Sequence, residues 1–457
     1  MRFGVLLTLV LCAAGANANR GVVVDPTYAY YKGRSAESIV EEIKANGYDE
    51  IHLACADGSA IDGELVSAFA DAGVKVWMLA TVNSARSTDN LPEGWEQWRM
   101  KLRRPETSGD FIYLCPNNPA YREWKRQNLV TALAKHPFHG VDLSGSFFPG
   151  RLGPESEDYG CLCGSCAAGF KRMYPDVAGP PDFDDPQSGC YWTTDKMLYE
   201  KWVGFRVSSI VNFLDDLVNG EDGVREKCPR VKVATWSLGI DSPEPLGKLR
   251  EWKALDAAAI VKRVRPDVHV VQTDRSDWTK PSLPGSYPVK YKPVAEPIRE
   301  ASPLTPLVLQ TNIGSEDEVR RSRAWMQEVE ESAKETGFAN VVHHEYSLGE
   351  YIYSEAPAVA DAMWEGDVVK LVFNKRLDSV SASNIANYVI TSGHIDYAKV
   401  DGNVVRLSVS GASGELILAI SGISDDEPAR LYHDSPACVM EQTAQVTVRE
   451  KEEEGQE

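Results

Sequence analysis

Between residues 20 and 356 a strand-then-helix alternation recurs eight times, and this restricts the fold more than any other feature. The short β-branched or apolar runs cover 22–24, 51–56, 74–82, 140–144, 231–237, 268–274, 307–312 and 341–346. Helical periodicity fills the gaps. Ile39, Val40 and Ile43 share one face before Gly47, and Leu65, Phe69 and Ala72 share another before Gly73. Eight such units predict an α/β fold, a closed parallel (β/α)8 TIM barrel over 20–356. The competing open doubly wound sheet would carry a Gly-rich dinucleotide turn after its first strand, and none follows residue 24.

The pattern changes after residue 365. Val369, Leu371 and Phe373 alternate, and Asp401-Gly402 is a tight-hairpin signal between alternating runs. An all-β sandwich is expected over 362–449. Its segment FNKRLDSVSASNIANYVI resembles the small bacterial immunoglobulin-like domains appended to secreted enzymes. Residues 450–457 are nearly all charged and read as a disordered acidic tail. Residues 1–18 read as a cleaved signal peptide, with Arg2, an apolar core and the Ala16-Asn17-Ala18 cleavage site. A lipoprotein reading through Cys12 is opposed by the large Leu11 before it. A secreted or periplasmic chain without a membrane span follows. The net charge of -19 argues against nucleic acid and anionic membranes as partners.

In such barrels the active site stands at the C-terminal ends of the strands. The residues there are Asp25 and Tyr28, Asp57, Asn83, Asp142, Trp236, Asp274 with Trp278, Gln310 and Asn312, and then His344, Glu345 and Tyr346. Aromatic faces suit sugar rings, while carboxylates and amides bind hydroxyls. No phosphate-binding glycine loop and no HExxH motif is present, so no organic cofactor is expected. Glycoside hydrolysis needs two carboxyl groups across the bond. The preferred pair is Asp142 as nucleophile with Asp274 as acid/base, and Asp142 with Glu345 comes second. A lone strand-end Asp is also a common loop anchor, and either Trp could be plain packing.

Cys161, Cys163 and Cys166 form a C-x-C-x2-C cluster, with Cys115 upstream. That spacing suits one tetrahedral metal better than two bridges, although two disulfides, or Cys190 in place of Cys115, stay open. Cys55, Cys190, Cys228 and Cys438 have no pairing readable from sequence. The order CPNNPAYREW, strand-four acid, CLCGSCAAGF resembles glycoside hydrolase family 42 β-galactosidases and related barrels. The resemblance implies a structural zinc held by Cys115, Cys161, Cys163 and Cys166. It breaks at the catalytic positions. Strand four here ends in Val141-Asp142-Leu143, and strand seven ends in Gln310-Thr311-Asn312 without a carboxylate. A strand-four Asp with a strand-six Asp is instead similar to the arrangement in α-galactosidase-type barrels.

Three functions follow. The first is a secreted glycoside hydrolase acting on a poly- or oligosaccharide. The second is a carbohydrate-binding surface barrel without catalysis. The third is a metal-dependent hydrolase using His343 or His344 with Asp142, which lacks a third ligand at clear spacing.

Overall fold

The computed structural model describes residues 20–55, 61–104, 111–316, 319–431 and 435–449. The signal peptide expected at 1–18, Asp57 and the acidic tail at 450–457 lie outside the described residues. Eight parallel strands close into a barrel: β1 (Arg20–Val24), β2 (Glu50–Ala54), β3 (Lys75–Thr81), β4 (Gly140–Ser144), β5 (Lys232–Leu238), β6 (Val268–Gln272), β7 (Leu307–Asn312) and β8 (Asn340–His344). Their order around the ring is β1-β8-β7-β6-β5-β4-β3-β2. The helices outside include α1 (Ala36–Ala45), α2 (Gly63–Asp71), α3 (Pro119–Lys135), α4 (Gly164–Met173), α5 (Lys196–Asn219), α6 (Pro245–Lys253), α7 (Ala257–Val264), α8 (Lys292–Ala301) and α9 (Arg323–Glu335).

Local chemistry sets the helix ends. Asn118 caps α3 by accepting from the Ala120 and Tyr121 amides, and Pro119 takes the first helical position, where no N–H is needed. Ser35, Asp62, Asp195 and Asp256 cap α1, α2, α5 and α7 in the same manner. Ser322 caps α9, so the helix opens there and not at the Ser315 capping box, whose Glu318 is outside the described residues. β6 stops at Gln272, two residues short of the expected end, because Asp274 caps the turn Arg275–Trp278. β8 stops at His344, and Tyr346–Leu348 form a 3-10 turn.

Strand alternation decides what faces the interior. The pairings Leu79↔Asp142↔Ala234 and Asn312↔His344 lie on the inner row, and Met78↔Val141 lies on the outer row against the helices. Gly140 is needed on that inner row, because a Cβ there would meet the Trp77 ring at 2.4 Å. His343 consequently points outward, where its Nε2 lies 2.8 Å from Glu330 on α9, and His344 points inward.

The C-terminal region forms two antiparallel sheets compatible with an immunoglobulin-like domain. One holds β9 (Val359–Glu365), β10 (Val368–Phe373), β13 (Val404–Ser410) and β12 (His394–Asp401); the other holds β11 (Tyr388–Ile390), β14 (Ile417–Ile420) and β15 (Ala444–Thr447). Val369, Leu371, Phe373, Val405, Leu407, Leu418 and Ile420 fill the space between them. Gly402 takes φ 58° at the β12–β13 turn, which an L side chain rarely adopts, as the Asp-Gly signal implied. This unit is bonded to the barrel. Lys370 Nζ reaches Glu37 at 2.7 Å and Glu41 at 2.8 Å on α1. The Arg376 guanidinium donates to the carbonyls of Ala29, Tyr30 and Lys32 in the loop after β1.

A candidate active site at the barrel mouth

The mouth is built from strand tips and from the loops after β1, β3, β4, β5 and β6. On one side the Trp236 ring lies 6.2 Å from Phe147, and Phe147 lies 6.2 Å from Tyr113. Trp236 Nε1 donates to Gln310 Oε1 at 3.3 Å. Asn83 is fully buried; its Nδ2 donates to the Phe147 carbonyl at 2.7 Å and fixes that ring's loop. On the other side the half-buried Trp278 ring stacks on His344, with centroids 6.2 Å apart and planes 14° apart. Trp278 is held by its indole N–H donating to Thr273 Oγ1 at 2.7 Å. Asn312 sits beside His344, 3.5 Å from its Nδ1, and its Oδ1 accepts from the Gly314 and Ser315 amides. Burial pushes His344 down to about 4, so it is neutral at physiological pH.

Asp25 and Asp158, like Asp274, are only partly buried. Asp25, directly after β1, accepts on Oδ1 from Thr27 N at 3.0 Å and Thr27 Oγ1 at 2.6 Å. Asp158, on the loop after β4, accepts from Arg151 N at 3.2 Å. Burial, reinforced by the Asp158 charge, raises the Tyr113 phenol. Tyr28 is half-buried and its amide donates to the Asp25 carbonyl at 3.1 Å.

Asp142, Asp274 and Glu345, singled out from sequence, are engaged by other groups of the protein. Asp142 is 1% exposed, and its Oδ2 lies 2.9 Å from His52 Nδ1 in the barrel interior, two residues below the end of β4. Asp274 accepts from Ser276 N at 2.8 Å as a helix cap. Glu345 is fully buried. Its Oε1 accepts from Asp25 N at 3.1 Å and from Tyr31 Oη, and its Oε2 accepts from Ser347 N at 2.8 Å and from Ser347 Oγ. Burial raises its carboxyl to about 7 against these hydrogen bonds. Tyr346 turns away from the mouth: its hydroxyl donates to Glu42 Oε1 at 2.7 Å, beneath α1. The carboxylate contacts of Asp142, Asp274 and Glu345 are therefore separate from one another. Sequence reasoning missed Asp158 and Phe147, which lie in an irregular insertion with no periodic signal. It also missed His52, although Glu50 and His52 two apart in a strand must share a face.

Behind the mouth, Arg206 of α5 is 1% exposed and joins the β4 loop to the end of α6. Its guanidinium donates to the carbonyls of Glu251 at 2.7 Å, Gly160 at 2.8 Å, Trp252 at 3.3 Å and Pro149 at 3.4 Å, and lies 4.3 Å over the Tyr159 ring. The same β4 loop carries three cysteines, Cys161, Cys163 and Cys166, which meet Cys115 from the loop after β3. The Sγ atoms of Cys115, Cys161, Cys163 and Cys166 all lie within 4.8 Å of one another, with Cys115 3.5 Å from both Cys163 and Cys166. A tetrahedral ion with sulfur arms of about 2.3 Å sets sulfur–sulfur edges of about 3.8 Å. A disulfide would need about 2.05 Å. The four side chains thus fit a single metal ion, and Asn117 Nδ2 donates to Cys166 Sγ at 3.3 Å as an outer support. Cys190 is exposed and hydrogen-bonded to Ser188, outside the cluster. Cys55, Cys190, Cys228 and Cys438 are all free. Among the described residues no helix is long and apolar enough to cross a membrane.

No family model matches the chain, and no curated protein matches it in sequence. Solved structures do match its fold. The glycoside hydrolase domain of PgaB (BpsB) from Bordetella bronchiseptica aligns with a TM-score of 0.53 at 14% identity, over 71% of this chain and 93% of that one. The cold-adapted β-galactosidase from Rahnella sp. R3 aligns at 0.52 and 14%, over 71% of this chain and 50% of that one. The β-amylase catalytic domain from Paenibacillus polymyxa aligns at 0.50 and 12%, over 73% and 93%. The class is a closed parallel (β/α)8 barrel, the fold that these solved structures share with the chain. More particularly, the barrel is followed by two antiparallel sheets, and a four-cysteine cluster joins the loop after β3, through Cys115, to the loop after β4, through Cys161, Cys163 and Cys166.

Proposed function

We propose that the chain is a secreted glycoside hydrolase that cleaves O-glycosidic bonds of a poly- or oligosaccharide at this mouth. The observation that carries the reading is the mouth's lining. Trp236, Phe147 and Tyr113 face one side and Trp278 with His344 the other, among the amides of Gln310 and Asn312. Apolar sugar faces stack on such rings. The two carboxyl groups of the reaction are drawn from Asp25 and Asp158, which are partly open to solvent and, unlike Asp274, do not cap a helix. Glu345 is a positioning residue that fixes the Asp25 backbone. Asp142 with Asp274 is the alternative pair, and it requires the His52 contact to open. Cys115, Cys161, Cys163 and Cys166 would hold one zinc ion, whose chemistry there is that of a fixed cross-link bracing the β4 loop.

A second reading, a carbohydrate-binding barrel without turnover, is favoured by one observation: Asp142 and Glu345 are buried against internal partners, and Asp274 caps a helix. Reducing-end release and binding heats measured on one glycan panel separate the two. Under the hydrolase reading, Asp25→Asn and Asp158→Asn each lower turnover about a hundredfold or more. Full turnover in both variants sinks that carboxyl pair. Binding without any wild-type turnover favours the second reading.

A further inference from the structure

We infer that the mouth takes an acidic glycan, one whose sugar rings carry carboxylate or sulfate groups, and that Lys253 meets one of these groups. The inference rests on the reading of the mouth as a glycan site and names its substrate class. Three half-buried rings form a continuous strip. Phe111 lies 6.3 Å from Tyr113 with planes 27° apart, and Tyr113 lies 6.2 Å from Phe147. A cation stands at each end. The Arg86 guanidinium is 5.2 Å over Phe111, and the Lys253 ammonium is 5.2 Å over Phe147.

Lys253 closes α6 and is held in place, since its carbonyl accepts from the Phe148 amide at 3.0 Å. Its ammonium has no hydrogen-bond or ion-pair partner among the described residues, although the chain carries 67 acidic residues against 48 basic ones. Burial lowers its pKa; the Asp158 charge opposes this, and the nearby Arg206 and Arg151 charges reinforce it. The Phe147 ring and the Asp158 charge offset only part of the hydration that this partly desolvated cation loses, and no protein group hydrogen-bonds to it among the described residues. An anion arriving with the ligand supplies the missing partner, and the ring beneath seats the sugar that bears it. A neutral sugar leaves that ammonium as it is, so the strip discriminates by charge.

The test measures binding to oligogalacturonate, oligomannuronate and chondroitin sulfate fragments beside neutral gluco-, galacto- and manno-oligosaccharides of matched length. Wild-type protein should prefer an acidic set, and whether the uronates or the sulfated fragments bind identifies the anion. Lys253→Met should weaken acidic binding about tenfold or more, the loss of a hydrogen bond between charged groups, and weaken neutral binding far less. Lys253→Arg should restore most of it. Circular dichroism and the melting temperature check that each variant folds. Wild-type preference for neutral glycans, or acidic binding untouched in a folded Lys253→Met variant, overturns this inference alone. Binding of no glycan of either charge overturns the glycan site as well.

Discussion

His52 Nδ1 stands 2.9 Å from Asp142 Oδ2 inside the barrel, and Glu50 Oε1 lies 3.4 Å from the other ring nitrogen. Burial alone would push His52 down. The hydrogen bonds to Asp142 and Glu50 outweigh it and hold the ring at about 9. A histidine raised above its unfolded value of 6.5 adds stability that is complete below pH 6.5 and is lost as pH rises through about 9. The shift corresponds to roughly 3 kcal/mol. Urea denaturation at pH 6 and pH 9.5 should therefore show a marked alkaline fall, and Asp142→Asn should shrink it. An alkaline fall of wild-type size in that variant would mean that the pair does not set the charge of His52.

How much of this was legible in the sequence depends on the range of each contact. The barrel was legible because its signal is local: each β-branched run and each capped amphipathic helix can be read within about ten residues. The outward turn of one histidine in His343-His344 follows from strand parity alone. The site is different, because its partners come together only on closure. Asp142 reads as a strand-end acid, but the His52 that neutralises it is 90 positions away, and the donors to Glu345 from Asp25 and Tyr31 lie 320 and 314 positions away. Asp274 in front of Arg275–Trp278 did carry a local signal, that of a helix cap, and the structure realises it.

Glu345 gives a second pH dependence. Burial raises its carboxyl to about 7, against hydrogen bonds from Ser347, Tyr31 and Asp25. The raised value means a stabilising contribution present in full below the unfolded value near 4.5 and lost as pH rises through about 7. Tyr31→Phe deletes one donor to the carboxylate and should move the titration upward. Carboxyl carbon NMR of a Glu-labelled sample reads this directly, and an unmoved or downward-moved midpoint would remove the Tyr31 contact from the account.

The cysteine cluster predicts a metal stoichiometry. Purified protein should carry about one tightly held ion per chain, with zinc the best match for four thiolates. Cys161→Ser should lower the content by elemental analysis and lower the melting temperature. A strong chelator should do the same to the wild type, since metal binding and folding are coupled. Protein as purified from metal-replete medium with no bound ion, and a melting point indifferent to chelator, would leave the four thiols as packing.

Arg206 tests whether the mouth is held from behind. Its guanidinium serves four carbonyls, two on the β4 loop and two in the last turn of α6, and has no carboxylate partner among the described residues. Arg206→Met leaves those carbonyls short of donors in a buried site, which costs about 3 kcal/mol or more. Arg206→Lys keeps the charge but not the planar fork, so it should recover only part of the loss. Because the carbonyls belong to the β4 loop, which carries Phe147 and Asp158, and to α6, which Lys253 closes, the loss should also be local. Limited proteolysis should cut within 147–192 faster in Arg206→Met than in wild type, at temperatures well below global unfolding. Equal cutting rates, with stability reduced, would make Arg206 a general core contact with no special hold on the mouth.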